Sequence, residues 1–329
     1  MRAALPAIAQ PRINKFLAEF SPVYILHVED FDISLIRMAY RFENVTGKLR
    51  LNEQEFLAIE SVDVSVAWRE LIEGKIHTDI EVSEMKLTGD PTVLTASTSK
   101  EAAPVEDAKQ VKDNLFPLRV TRLVLRHSSI EIGDVVGLGE EKKLVLNEVE
   151  ARVNNLTPER EMSQTFFTIQ GAILGSAILK VTGKAEMNRK PRAWDMDIEM
   201  HDFNLVEANP ILKRMVPFTF TSGKMDLFGE IKSENDEMVG YLKPFLHNAD
   251  IIDSREHFKN GKQFLYEIGG ALGNFLLQRD KEKTTATKIN FKRKNGKLDY
   301  SLGEVLGSAI EHKTAKPFTP QIDDSLSIE

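Results

Sequence analysis

The sequence predicts a mainly β protein with accessory helices, built on a large, mostly antiparallel sheet. Three observations carry that expectation. Apolar and polar residues alternate with a period of two along most of the chain after Val23. The clearest case sets Trp194, Met196, Ile198 and Met200 against Asp195, Asp197, Glu199 and His201, a pattern that a period of 3.6 cannot produce. Helical patterns are few and short, as expected of helices clipped onto a sheet.

Residues 1–20 open the chain with an amphipathic helix, in which Leu5, Ile8, Ile13, Phe16, Leu17 and Phe20 share a face. Pro11 predicts a kink or restart within it, and Ser21 and Pro22 end it. Residues 21–89 form the first β segment. Val62, Val64, Val66 and Trp68 oppose Ser61, Asp63 and Ser65. A short helical turn over 68–75 ends at Gly74. In the strand that follows, Ile76, Thr78, Ile80 and Val82 oppose His77, Asp79 and Glu81. Met85 and Leu87 fall out of that register, which predicts a bulge near Ser83 or Glu84.

Residues 90–116, rich in Thr, Ser, Ala and Pro, predict a loop with a short helix over 106–115. The main β segment runs from 117 to 318. Val145, Val149, Ala151 and Val153 make one of its stripes, and Thr165, Phe167, Ile169 and Ile173 another. Ala177, Leu179, Val181 and Ala185 make a third. Further strands are expected over 217–232, 237–247 and 284–292. Helices are expected near 204–215, interrupted by Pro210, and near 263–278 and 303–313. The tail, 319–329, is polar and is expected to be loose.

Composition narrows the function classes. A net charge of −7 leaves no basic footprint for nucleic acid, so none is expected as a partner. The absence of cysteine excludes thiolate metal sites, disulfides and cysteine nucleophiles. No apolar run reaches the ~18 residues of a membrane span, and the start lacks the pattern of a signal peptide. The seven histidines are scattered, without a metal-binding pair. Asp195, Asp197 and Glu199 read as a solvated strand face rather than a catalytic set. GxSxG, Walker and GxGxxG patterns are absent. The two GxxxG stretches, Gly269–Gly273 and Gly303–Gly307, fit close packing of helix on sheet. No enzyme activity, cofactor or metal is therefore expected.

One resemblance adds to this reading. Residues 47–89 resemble the opening of bacterial AsmA-like proteins, in particular a branch known as a domain of unknown function. The order there is a strand, here Phe56–Val66, then Trp68, Arg69, Leu71 and Gly74, then a strand over Ile76–Leu87. Residues 116–132, 200–212 and 222–246 are similar too, the last containing the phrase GYLKP. The stretches GALGNFLLQ and GEVLGSAI follow in the expected order. The likeness runs from about residue 23 to 318, and its motifs are structural.

The resemblance implies an elongated sheet curled like a taco around an apolar groove. It implies a periplasmic protein held at the inner membrane by a helix preceding residues 2–24, so the sequence is expected to be a piece of a longer, anchored protein. It further implies binding of phospholipid or another acyl-chain lipid, transport of phospholipid between inner and outer membrane, and support of envelope integrity. No catalytic residue carries over. On β faces in the first half of the chain, the expected groove lining is Val62, Val64, Val66, Leu123 and Leu125. In the second half it is Val149, Val153, Phe167, Ile169, Met196 and Ile198. The alternative is a structural or regulatory envelope scaffold that binds partner proteins, its apolar face sealed by the helices at 5–20 and 263–278.

Overall fold

The computed structural model describes residues 4–19, 21–34, 39–66, 76–89, 118–132, 144–156, 164–186, 193–212, 218–253, 284–294, 297–302, 306–307 and 319–328. The helical turn expected over 68–75, the loop and helix over 90–116 and the helix over 263–278 lie outside these residues. The protein is mainly β and mostly antiparallel, with accessory helices. Two compact units divide it, Met1–Val135 with Val145–Phe167, and Val136–Leu144 with Thr168–Glu329.

The first unit contains helix α1 (Ala4–Glu19) and strands β1 (Tyr24–Ser34), β2 (Ala39–Leu49) and β3 (Glu55–Val66). After them come β4 (Ile76–Ser83), β5 (Lys86–Gly89), β6 (Leu118–Ile132) and β7 (Leu144–Asn154). Their order is β1-β2-β3-β4-β6-β7, with β5 paired to β3 and β6. Neighbours among β1 to β4 are antiparallel. β6 pairs in parallel with β4 and β5. Helix α1 runs through Pro11 as a single helix, not as two. Its Asn14 amide serves the free edge of β1, donating to the Val28 carbonyl at 2.8 Å and accepting from the Val28 N–H at 2.7 Å. An edge strand satisfied in this way offers fewer groups for stray pairing.

Asn44, Glu84, His127 and Glu148 all have φ near +50°, one each on β2, after β4, on β6 and on β7. Few side chains adopt that conformation. At the first three of them the apolar set changes parity: Tyr40 and Phe42 give way to Val45 and Leu49, Ile80 and Val82 to Met85 and Leu87, Leu123 and Leu125 to Ile130 and Ile132. The left-handed residue takes up one step of the alternation and re-aims the side chains after it. The bulge expected near Ser83 or Glu84 is not found: Ser83 pairs with Arg126 and Lys86 with Ser129, so the register keeps step across Glu84 and the parity changes through its left-handed backbone alone.

The second unit holds most of β8 (Thr165–Ile173), then β9 (Ala177–Glu186), β10 (Ala193–Asn204), helix α2 (Leu205–Leu212), β11 (Phe218–Glu234) and β12 (Glu237–Asp253). Short strands β13 (Thr284–Ala286), β14 (Ile289–Lys294), β15 (Lys297–Leu302) and β16 (Leu306–Gly307) follow. The order is β8-β9-β10-β11-β12-β13-β16, with β14 between β12 and β15. Strands β11 and β12 outrun the expected ranges because residues 218–234 and 237–253 pair along almost their full lengths. Left-handed residues recur here at Asp202, Gly223 and Asn248. A side chain at Gly223 would lie 2.6 Å from the Ala249 Cα, so only glycine fits. Asn204 caps α2, its Oδ1 accepting from the N–H groups of Val206 and Glu207 at 3.0 and 3.2 Å.

Three further expectations need correction. The helix expected over 303–313 has a strand, β16, at Leu306–Gly307, which pairs with β13; long-range pairing overrides the local helical pattern, and the rest of that range lies outside the described residues. The tail is not loose. Residues 319–328 are seated on the strands of the second unit through hydrogen bonds to Asp195, Glu230, Tyr241 and Lys243. For the same reason Asp195 is buried rather than solvated.

Candidate lipid-binding face

In the first unit, strand register assembles the apolar face row by row. Phe31 pairs with Phe42, Phe42 with Val62, Val62 with Val82, and Val82 with Leu125. The next row runs Ile33, Tyr40, Val64, Ile80 and Leu123. Paired residues in neighbouring strands point to the same side, so each row is continuous across five strands, about 19 Å at ~4.8 Å per strand. Val66 opens a third row beside Thr78. The Thr78 side chain is fully buried, and its Oγ1 has no hydrogen-bond partner among the described residues.

The other side of these strands is charged. Arg122 meets Asp79 at 2.7 Å, Arg126 meets Glu81 at 2.6 Å, and Arg41 lies 2.8 Å from Glu43. These pairs stand in solvent and neutralise one another. The hydrogen bond between Glu60 and Glu84 raises the Glu60 carboxyl above the ordinary carboxylate range, and the Glu84 charge adds to the shift.

In the second unit, Met196 pairs with Ile231 and Gly183, and Ile198 with Val181 and Gly229. The rows continue to Gly240 beside Phe291, and to Leu242 beside Ile289. Gly240 is required there, because a Cβ would sit 2.6 Å from the Glu230 carbonyl oxygen.

Of the expected lining, Val62, Val64, Val66, Leu123 and Leu125 are brought onto one face of the first unit, all half-buried. Val153 and Phe167 are half-buried on β7 and β8, whereas Val149 is buried, at 1% exposure. Met196 and Ile198 share a face of the second unit, and Ile169 is half-buried on β8. Sequence reasoning missed Phe31, Tyr40 and Phe42, whose rings stack with centroids 5.0 and 6.2 Å apart at the β1 end of the rows. Their own period of two, across 31, 33 and 40, 42, was the available signal. Among the described residues, the main helix packing is α1 along β1 and α2 against β10 and β11.

The polar side of the second unit carries a different set. Glu230, Lys243 and Asp195 are buried, and the chain's own residues 319–328 lie on them. Burial, with the charges of Glu230, Asp195, Asp324 and Glu199 adding, pushes the Asp197 carboxyl up to about 6. Burial also raises the Tyr241 hydroxyl far above its ordinary range. For Asp323 burial acts upward, but hydrogen bonds from Lys243 and Lys288 outweigh it and hold the carboxyl below its ordinary range.

Among the described residues no three His, Asp or Glu side chains are grouped to hold a metal ion, and no helix is long and apolar enough to cross a membrane. No protein-family model matches the chain, and no curated protein matches it.

Proposed function

We propose that the protein binds lipid acyl chains along the apolar face of its strands, as a non-catalytic, periplasmic, AsmA-like protein that helps to move phospholipid between inner and outer membrane. The observation that carries this reading is the pair of rows through Phe42–Val62–Val82–Leu125 and Tyr40–Val64–Ile80–Leu123, half-buried except at the buried Val82 and the exposed Tyr40. The same strands place their charges on the opposite side, already paired. A ligand on the apolar side therefore meets side chains of nearly uniform chemistry.

Energetics favour such a ligand. Exposing an acyl chain of ~15 methylenes to water costs about 12 kcal/mol at ~0.8 kcal/mol each. Rows of Val, Ile, Leu and Phe offset much of that cost at each position along them. Because Tyr40, at the β1 end, is the one polar side chain in these rows, the remaining positions are nearly equivalent, and a chain can shift from one to the next without any bond being made or broken. The headgroup stays in water.

Val64→Asp and Ile198→Asp test the reading. Each places a carboxylate among the rows. The expected result is loss of lipid transfer between vesicles by more than tenfold, with thermal stability lowered by about 1–2 kcal/mol, as for a half-buried apolar side chain. Loss of about 4 kcal/mol or more would mean that the face is a closed core.

A further inference from the structure

The groups under residues 319–328 are built to hold a peptide. Lys243 is 1% exposed, and its Nζ donates to the carbonyls of Thr319 at 3.3 Å and Gln321 at 2.6 Å and to the Asp323 carboxylate at 2.5 Å. Lys288 donates to the other oxygen of Asp323 at 2.7 Å. The Tyr241 hydroxyl accepts from the Asp323 N–H at 2.8 Å. Glu230, also 1% exposed, accepts from the Ser325 N–H at 2.9 Å and from its hydroxyl at 2.7 Å. At the far end Asp195 accepts from the Ile328 N–H at 2.7 Å, and Lys184 donates to the Ile328 carbonyl at 2.6 Å. Two apolar anchors flank these polar contacts. Ile322 packs on Phe228, Phe245 and Ala286, and Ile328 is 1% exposed.

Stripped of the segment, the site would leave an ammonium and two carboxylates without the carbonyls and amides that now satisfy them, a costly state. A cation for carbonyls and anions for amides together recognise main chain. Selectivity comes from the aliphatic at 322, the carboxylate at 323, the hydroxyl at 325 and the aliphatic at 328.

At its centre the resident segment has an exposed residue, Asp324, that takes no part in these contacts. Asp324 brings a negative charge to a place already holding Asp195, Asp197, Glu199 and Glu230, and its charge adds to theirs on Asp197. It is also held at φ 51°. Asp tolerates that conformation better than most residues, but at some cost. An exposed residue in a left-handed turn, at the middle of a segment held by side-chain contacts and itself making none of them, is where the segment can begin to release.

We propose that this seat is a peptide-binding site which the chain's own residues 319–328 close in the free protein. Its occupant in trans is an extended segment of a partner protein, with aliphatic residues six positions apart, an Asp directly after the first, and a basic residue in the place of Asp324. This inference stands on the polar side of the second unit and is independent of lipid binding.

The test uses the full chain and two fluorescein-labelled synthetic peptides, residues 317–329 as they stand and the same peptide with Asp324→Lys. Fluorescence anisotropy reads binding, and hydrogen exchange reads protection of the chain's own tail. The peptide with Asp324→Lys is expected to bind at least roughly tenfold more tightly than the unchanged one, the effect of ~1.4 kcal/mol. Tail protection should fall as it binds, and Lys288→Met in the chain should weaken binding. The same Asp324→Lys change in the full chain should slow exchange of residues 319–328. Equal affinity of the two peptides, binding that leaves the tail protected, or faster tail exchange in the Asp324→Lys chain would each overturn the proposal. So would tail exchange between two copies of the chain, which would make a second copy the occupant.

Discussion

The polar sides of the two units differ in what covers them. In the first, Arg122–Asp79 and Arg126–Glu81 are exposed pairs at ordinary hydrogen-bond distance. In the second, Lys243, Glu230 and Asp195 are buried under residues 319–328. The same alternation of apolar and charged residues underlies both. A period of two therefore says which residues share a face, and leaves open which face is covered.

The largest effect expected from this contrast is at Lys243. Lys243→Met removes the cation that Asp323 and two carbonyls depend on, and should destabilise the second unit by about 3–5 kcal/mol. Arg122→Met in the first unit breaks an exposed pair and should cost less than ~1 kcal/mol. Urea unfolding combined with hydrogen exchange separates the two units. Similar losses at both positions would break the contrast.

A smaller effect is expected from pH. The Asp197 carboxyl, raised to about 6, binds its proton more tightly in the folded protein than in the unfolded chain. Its ionisation therefore opposes folding at neutral pH. Stability should rise as pH falls through 6, and the gain should be complete near the ordinary value of ~3.9. Asp323 acts in the opposite sense. Held below its ordinary range by Lys243 and Lys288, it contributes stability above ~3.9 that is lost as pH falls further. The window for a net gain is thus between about 4 and 6. Asp197→Asn should stabilise the protein at pH 7 by on the order of 1 kcal/mol after solvent screening, and should flatten that window. An unchanged slope of stability against pH in this variant would show that other groups carry it.

Much of the strand layout was legible, and the reason is local. Val62, Val64 and Val66 alternate with Ser61, Asp63 and Ser65, and that spacing alone sets a face. The shift of parity between Val82 and Met85 located the left-handed Glu84. The fit of the tail was not legible, because its partners are distant along the chain: Asp323 meets Lys243 from 80 residues away. A polar stretch without hydrophobic periodicity reads as loose unless the groups that receive it are known. A trace of them was present. Lys243 stands between Tyr241 and Phe245 in one alternating set, and Glu230 follows Phe228 in another. A charge in step with aromatic residues marks a buried ion that needs a partner. The helix expected over 303–313 failed at Leu306–Gly307 for a related cause, since β13 supplies a pairing that local sequence cannot announce.

The first unit also shows how a sheet keeps one apolar side over long strands. Asn44, Glu84, His127 and Glu148 sit in a conformation that costs each of them roughly 1 kcal/mol or more. In return the hydrophobic set resumes with opposite parity after Asn44, Glu84 and His127. Asp202, Gly223 and Asn248 repeat the device in the second unit.

Whether the rows through Val62 and Val64 carry acyl chains is tested most directly by solvent extraction of the purified, undenatured protein followed by mass spectrometry of the extract. The lipid-binding account expects phospholipid in near-stoichiometric amount from the unaltered chain, and little from Val64→Asp. Absence of lipid from both, or equal lipid in both, would contradict it.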